Sequence, residues 1–573
     1  MTYLVRNIFM KVVKLIIFSA VVSFIGCKSV ISSISVPKGS EQVISVSPKK
    51  GVLSEDEMHS WSYADLEKDS IPGISIEKAY AFLEGKKGVK VIVAIADSGV
   101  DIDHKDLKDV AWIHPKEVAD NGIDEDKNGY TDDLHGWNFL GNKEGKMVVK
   151  DQLEITRIVK KGTEKFGDKK ATEILENDKI EFQKFLKLKE EYQLTIQKNS
   201  EEIETLNETL QRLSQIEENF TLVRKLIGKE VFTEFDLKAL RPTSISEGTK
   251  IADVSSLLKR GVKETEMLAY KKEVLAYKEH QEKAQKGYDF NLNNRQNLGD
   301  NLEDITDKYY GNHNVIGSKE LEKHGTHVAG IVAASRSNNS GMKGIANNVQ
   351  IMTVRVVPDG DEHDKDVALG IRYAVDNGAK IINTSFGKRF SPNKEWVFKA
   401  IKYAAEKEVL IVNAAGNDGK NIDIRHSYPS DSKDLVNEFA DNVITIGASS
   451  VAYNENLPAT FSNYGKINVD VFAPGVDIYS TVPKDKYEAL SGTSMAAPTV
   501  AGIAALIRSY YPQLSASQVK HILMNSGTKI NFDVIKPGTK DEKVPFADLS
   551  VSGRVVNAYN AIKMADRMVK GKK

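Results

Sequence analysis

The chain has 573 residues and a formal net charge of −1, so no global field argues for nucleic acid or a strongly charged partner. Its length fits three or four ordinary domains, or one large α/β domain carrying an insertion. A single cysteine, Cys27, excludes a disulfide within one molecule.

Residues 1–26 carry positive charge at Arg6, Lys11 and Lys14, then an apolar stretch from Leu15 to Ile25. That stretch is too short and wrongly flanked for a membrane span, so it reads as a secretory signal. Phe24-Ile25-Gly26-Cys27 resembles a bacterial lipoprotein processing box, although Phe24 stands where Leu is usual. The resemblance implies acylation of Cys27 and an exported protein anchored to a cell-envelope membrane, periplasmic or at the cell surface. The alternative is an ordinary signal with an incidental cysteine. Residues 27–60 are rich in Ser, Lys and Val without a period, and read as a tether or short pro-segment.

Globular text begins at Trp61. Ile76 to Glu84 has helical spacing before a Gly85 stop. Val91-Ile92-Val93-Ala94-Ile95-Ala96 is a continuous apolar run, as in a strand buried on both faces. It delivers Asp97 at its C-terminal end, where open α/β sheets place functional groups. An acidic loop follows, Asp124-Glu125-Asp126-Lys127-Asn128-Gly129-Tyr130-Thr131-Asp132-Asp133. Oxygen ligands at alternate positions, with Gly at the sixth, match the first half of a calcium loop. The candidate ligands are Asp124, Asp126, Asn128, the Tyr130 carbonyl, and Asp132 or Asp133. His135 stands at the twelfth position, where an EF-hand has Glu, so the reading is a stand-alone structural calcium loop. The alternative is a solvated acidic turn.

Residues 61–144 therefore open a domain that residues 145–300 interrupt. The interrupting text is rich in Lys, Glu, Leu and Gln. Phe182, Phe185, Tyr192, Ile196, Ile203, Leu206, Leu210, Leu213 and Phe220 fall at a and d spacing, with Lys189, Asn199 and Glu217 breaking the seam. A second run, Val262 to Lys286, predicts the partner of an antiparallel helical hairpin. Three roles stay open for it: a cap that restricts substrates, a docking surface for a protein partner, or a tolerated insertion.

The interrupted text resumes over 301–565. His324-Gly325-Thr326-His327 opens an Ala-rich helix. Apolar strands at 349–357, 380–384, 409–412 and 443–448 alternate with helices, which predicts a mostly parallel, doubly wound sheet covered on both faces. Gly492-Thr493-Ser494-Met495-Ala496-Ala497-Pro498 sets a serine between small residues at a helix start, where free N–H groups favour developing negative charge. Ser515 is a candidate N-cap, a closing helix starts near Val555, and 566–573 reads as a basic tail.

Asp97, His324 and Ser494 occur in the chain order of one group of triad proteases. With their flanking strings, the chain resembles the subtilisin-like serine peptidases over roughly 60–140 and 300–565. The resemblance implies a serine endopeptidase acting on protein or peptide substrates, with no catalytic metal, and a structural calcium loop like those of some subtilases. It further implies that Asn417 supplies an oxyanion-hole donor, and that Ser385-Phe386-Gly387 and Ala414-Ala415-Gly416 wall the pocket for the residue before the cleaved bond. The departure is the long interval between Asp97 and His324, where the family has a few tens of residues. His327 reads as a packing residue, because no glutamate follows His324 as a zinc box requires.

Overall fold

A computed structural model describes residues 46–49, 51–319, 323–338 and 341–571. Cys27 and the signal lie outside the described residues. Thirteen strands run β1 (Val91–Asp97), β2 (Gly136–Asn138), β3 (Val349–Arg355), β4 (Ile381–Thr384), β5 (Leu410–Ala414), β6 (Val443–Ser449), β7 (Val471–Pro474), β8 (Ile478–Val482), β9 (Lys486–Leu490), β10 (Thr528–Lys529), β11 (Asp533–Ile535), β12 (Lys543–Pro545) and β13 (Arg554–Val555). Helices of eight residues or more are α1 (Ile76–Leu83), α2 (Glu154–Phe166), α3 (Lys179–Ile227), α4 (Ile245–Lys259), α5 (Glu264–Lys286), α6 (Lys323–Ala333), α7 (Asp364–Asp376), α8 (Lys394–Glu406), α9 (Thr493–Tyr510), α10 (Ala516–Ser526) and α11 (Ala558–Lys570).

Nine strands form one sheet in the order β10-β13-β7-β6-β5-β4-β1-β3-β2, parallel except for the β10–β13 pair. Strand β1 pairs with β3 on one side and β4 on the other, so the chain changes direction across the sheet at β1. The register puts Asp97 opposite Arg355, and Thr384 opposite both Ala96 and Asn413. The ends of β1, β4 and β5 therefore share one edge, the position where such sheets bind ligands. Alternate strand residues, among them Ala94, Met352, Ile382 and Ile411, join α7 and α8 in one apolar core. Helices α6 and α9 pack against each other and against the sheet.

The inserted segment is helical, and α3 alone runs 49 residues, roughly 70 Å at 1.5 Å per residue. It packs along α5. Two apolar clusters hold the hairpin. One, at the root, joins Ile155, Val159, Phe166, Phe182 and Phe185; the other, at the tip, joins Leu213, Phe220, Val223, Val254, Met267 and Val274.

Two terminal segments differ from their sequence expectation. Part of the expected tether, Glu55–Ser60, is helical, with a capping box between Ser54 and Glu57. His59 stacks on Tyr479 at 3.9 Å, which ties that helix to β8. At the other end α11 continues to Lys570 because Asp566 pairs with both Lys86 and Lys570 at 2.7 Å.

Candidate active site

Asp97 ends β1 and is 1% exposed, while the His324 side chain in the first turn of α6 is 41% exposed. Gly325 permits their approach, because a Cβ there would lie 2.2 Å from the Gly99 carbonyl oxygen. His324 Nδ1 meets Asp97 Oδ1 at 2.8 Å. A carboxylate only accepts, so Nδ1 carries the proton and Nε2 is left as a base. Burial lowers the basicity of His324, but the Asp97 charge and hydrogen bond outweigh it and hold its pKa above the ordinary 6.5.

Ser494 sits at the second position of α9. Sixteen of the helix's 18 residues are buried, and Ser494 is one of the two that are not. Pro498 lacks the N–H that would close an intrahelical bond to the Ser494 carbonyl. Ser385 Oγ supplies the missing donor at 2.8 Å, and Ser494 Oγ donates in return to the Ser385 carbonyl at 2.9 Å. The nucleophile's turn is thus fastened to the end of β4. In this conformation the Ser494 hydroxyl bonds Ser385 rather than His324; catalytic hydrogen bonds of free enzymes often tighten only with substrate.

Asn417 Oδ1 accepts from the Thr493 N–H at 2.9 Å and the Thr493 hydroxyl at 2.8 Å. A backbone N–H can only donate, so the amide orientation is fixed and its NH2 is the free end. A Cβ built on Gly492 would lie 3.4 Å from Asn417 Nδ2 and 3.5 Å from the Ser494 N. Two donor nitrogens therefore lie close to one point at the nucleophile's turn, the pair an oxyanion hole would use.

Phe386, Gly387, Ala414, Gly416, Asn417 and Ser494 line one cleft of about 530 Å³. Ser385 and Ala415 are buried behind it. Gly416 takes φ +100°, and its N–H donates to Thr493 Oγ1 at 3.1 Å. The structure thus pairs Asp97 with His324, and gathers Ser494, Asn417 and the pocket-wall residues Phe386, Gly387, Ala414 and Gly416 about one cleft. His327 lies apart from the chemistry, fully buried with Nε2 3.0 Å from the Glu488 carbonyl. Burial pushes its pKa down to about 3, so it packs as a neutral ring.

The acidic loop folds around a residue that sequence reading missed. Glu117, Asp124 and Asp126 offer oxygens within 4.8 Å of one another, and a His114 ring nitrogen lies equally close to carboxylate oxygens of Glu117 and Asp133. Glu117 Oε2 and Asp133 Oδ1 are buried with no hydrogen-bond partner. Asn128 joins the group through its Nδ2, which donates to Asp133 at 3.3 Å. Asp132 belongs to neither cluster; its carboxylate accepts from the N–H groups of Asn121 and Gly122. Tyr130 packs among Trp137, Phe139 and Tyr373.

Charge joins the insertion to the cleft. Lys388, two residues past the Phe386 wall, is buried with Nζ 2.6 Å from Glu154, 2.9 Å from Asp364 and 2.7 Å from the Glu362 carbonyl. Arg157 pairs with Glu154 at 2.7 Å and donates to the Asp361 carbonyl at 2.9 Å. Burial pushes the Glu154 pKa up, but Arg157 and Lys388 outweigh it and hold it at about 2. Sequence reading missed this network; its trace was the run Asp359-Gly360-Asp361-Glu362-His363-Asp364-Lys365, unusually charged for text that is largely buried.

Residues 88–547 match the Subtilase family. The chain is 41% identical over 211 residues to Subtilisin DY of Bacillus licheniformis, covering 36% of this chain and 71% of that one. It is 40% identical over 209 residues to Thermitase of Thermoactinomyces vulgaris, covering 36% and 68%. Against the Cell wall-associated protease of Bacillus subtilis (strain 168) identity is 36% over 274 residues, 45% of this chain and 29% of that protein, so the chain spans under a third of that relative. Matched residues and site geometry agree: the chain belongs to the subtilase family of serine endopeptidases.

Proposed function

We propose that this chain is an exported, lipid-anchored serine endopeptidase that hydrolyses peptide bonds through Asp97, His324 and Ser494. The observation that carries the reading is the Asp97–His324 bond, supported by the Asn417 amide and the Ser494 N–H, whose nitrogens both lie near Gly492 at the serine's turn. His324 Nε2 takes the Ser494 proton as Oγ bonds the substrate carbonyl carbon, and the oxygen's negative charge falls between the Ser494 N–H and Asn417 Nδ2. The C–N bond then breaks, and the amine leaves with the proton from His324. Water repeats the sequence on the acyl-enzyme. Asp97 holds the imidazole tautomer and stabilises the imidazolium throughout. Gly360 and Gly387, whose backbone groups form no backbone hydrogen bond among the described residues, offer edges for an extended substrate to join as an added strand.

Calcium fits the loop beside β1. Its orphaned, buried carboxylate oxygens on Glu117 and Asp133 are hard donors, and Asp124 and Asp126 supply more. A bound calcium ion would neutralise these clustered carboxylates and stiffen the connection leaving Asp97. The lipid anchor rests on Cys27 following an apolar signal, and it sets the location at a cell-envelope membrane.

A fluorophosphonate probe tests the nucleophile. The chain should be labelled, Ser494→Ala should not, and peptide turnover should fall by about 10⁶ in that variant. Undiminished labelling of Ser494→Ala removes Ser494 as nucleophile and overturns the reading.

A further inference from the structure

The cleft beside Ser494 is bounded by more than the peptidase segments. Its far wall is built from Leu153, Ile155, Glu191, Thr195 and Tyr288, all from the inserted segment. The wall is fixed to the rest of the site at three levels. Backbone pairing comes first: Asp359 N–H donates to the Val149 carbonyl at 2.6 Å, Asp151 N–H to the Asp359 carbonyl at 3.0 Å, and Asp361 N–H to the Gln152 carbonyl at 3.3 Å. Buried charge comes second, through Glu154 and Lys388. Third, Glu191 on α3 pairs with Arg389, one residue past Lys388.

These contacts decide which backbone groups remain for a substrate. Residues 359 and 361 turn their backbone toward the insertion, so Gly360 between them is left unpaired. Gly360 and Gly387 lie in the same cleft as Ser494 and as the insertion residues. A chain joining those edges therefore also meets α3 and Tyr288.

We propose that the root of the inserted hairpin is a substrate-binding wall for residues upstream of the cleaved bond, so that the site takes a single extended, unfolded polypeptide strand. The substrate class follows from the enclosure. A strand one chain thick joins the Gly360 and Gly387 edges and meets Glu191 and Thr195 of α3 in the same cleft, whereas a loop still attached to a folded body carries its bulk against that wall. The proposal rests on the peptidase reading above and adds to it the part of the molecule that selects substrate.

The test uses the full chain and two fluorogenic peptides, one with a single residue upstream of the cleaved bond and one with six. Thr195→Trp narrows the wall, and its ratio of kcat/KM for long over short peptide should fall about tenfold, through KM. Glu191→Ala releases Arg389 and loosens the wall; it should raise cleavage of a folded protein relative to its denatured form about threefold. Ile245→Ser, at the exposed start of α4, should leave both ratios unchanged. Should Thr195→Trp fail to fold, Glu191→Ala carries the test. Unchanged ratios in both wall variants overturn the proposal while leaving the peptidase active. A parent chain that cleaves neither peptide overturns the peptidase reading instead, and the two failures are distinguishable.

Discussion

Helices α9 and α3 are built on opposite principles. Nearly every residue of α9 is buried, so sheet and neighbouring helices fix it from all sides. Of the 49 residues of α3, six are buried, and they gather near its two ends. Between the ends the hairpin is joined by polar contacts, such as Tyr277 Oη to Glu202 at 2.8 Å and Gln285 Nε2 to Ser200 Oγ at 3.0 Å. Close-packed surroundings leave a side chain little freedom to shift, which suits the nucleophile on α9. A helix held at root and tip tolerates change along its length, and only its root reaches the cleft. The difference teaches that precision in this molecule is local to the site, and that the insertion shares it only where charge fastens the two together.

The sharpest way to break that comparison is to cut the fastening. Glu154→Ala leaves Lys388 and Arg157 buried without their shared carboxylate, and it should cost about 3–5 kcal/mol of stability. Denaturant unfolding measures the loss. The same pair has a pH signature with a definite sign. Because the folded pKa of Glu154 is depressed to about 2, its contribution is present above its unfolded value near 4.5 and is lost as pH falls toward 2. A loss below 1 kcal/mol would mean that the hairpin root floats on the cleft.

On the other side of the comparison, Asn417→Ala should lower kcat about 10²–10³-fold, or about 2.7–4 kcal/mol. The magnitude is the one known for the equivalent asparagine of a relative, subtilisin. KM should change little, because the amide is asked to bind the oxyanion rather than the ground-state carbonyl. A KM effect with unchanged kcat would place Asn417 in substrate binding instead.

Calcium removal ranks third. At a hundredfold excess over its dissociation constant, a ligand of the folded state alone adds about 2.7 kcal/mol. Thermal melts with calcium and with chelator should differ accordingly, and Glu117→Gln should erase the difference. Calcium-independent melting of the parent chain would leave the Glu117 and Asp133 oxygens unexplained.

Sequence and structure agree wherever one local pattern suffices. The apolar run ending at Asp97, the helix beginning at Ile76 and the Ser515 cap are each written in neighbouring residues, and each forms as expected. Motif strings also singled out Asp97 and His324, which the structure pairs, and Ser494 and Asn417, which share one cleft; each string surrounds its residue with small neighbours. The missed features depend on contacts between distant positions. Glu117 meets Asp124 and Asp126 only because the loop folds back, and Ser385 serves the Ser494 carbonyl only because Pro498 frees it. The a and d pattern of α3, interrupted at Lys189, Asn199 and Glu217, is divided in the structure into two clusters, with Leu206 and Leu210 half-buried against the tip cluster and Ile196 and Ile203 half-buried between the two.

The smallest expected effect is a shift of the acid limb of the rate profile, and it sharpens the comparison by isolating one ion pair. Folded His324 titrates above 6.5 because Asp97 favours the imidazolium. Its contribution to stability is therefore complete below the unfolded pKa and is lost as pH rises through the folded one. Catalysis has the opposite sign, since only neutral Nε2 can take the Ser494 proton. Activity should rise with pH through a value above 6.5 over the range where the ion pair's stabilisation fades. Asp97→Asn removes the charge, so its residual activity should rise through a lower pH than the parent's, alongside a fall of about 10⁴ in kcat from the lost tautomer control. Rate profiles of kcat/KM for the two proteins measure both. If the limb stays in place while kcat falls, Asp97 orients the ring without setting its charge, and the upward shift has another source.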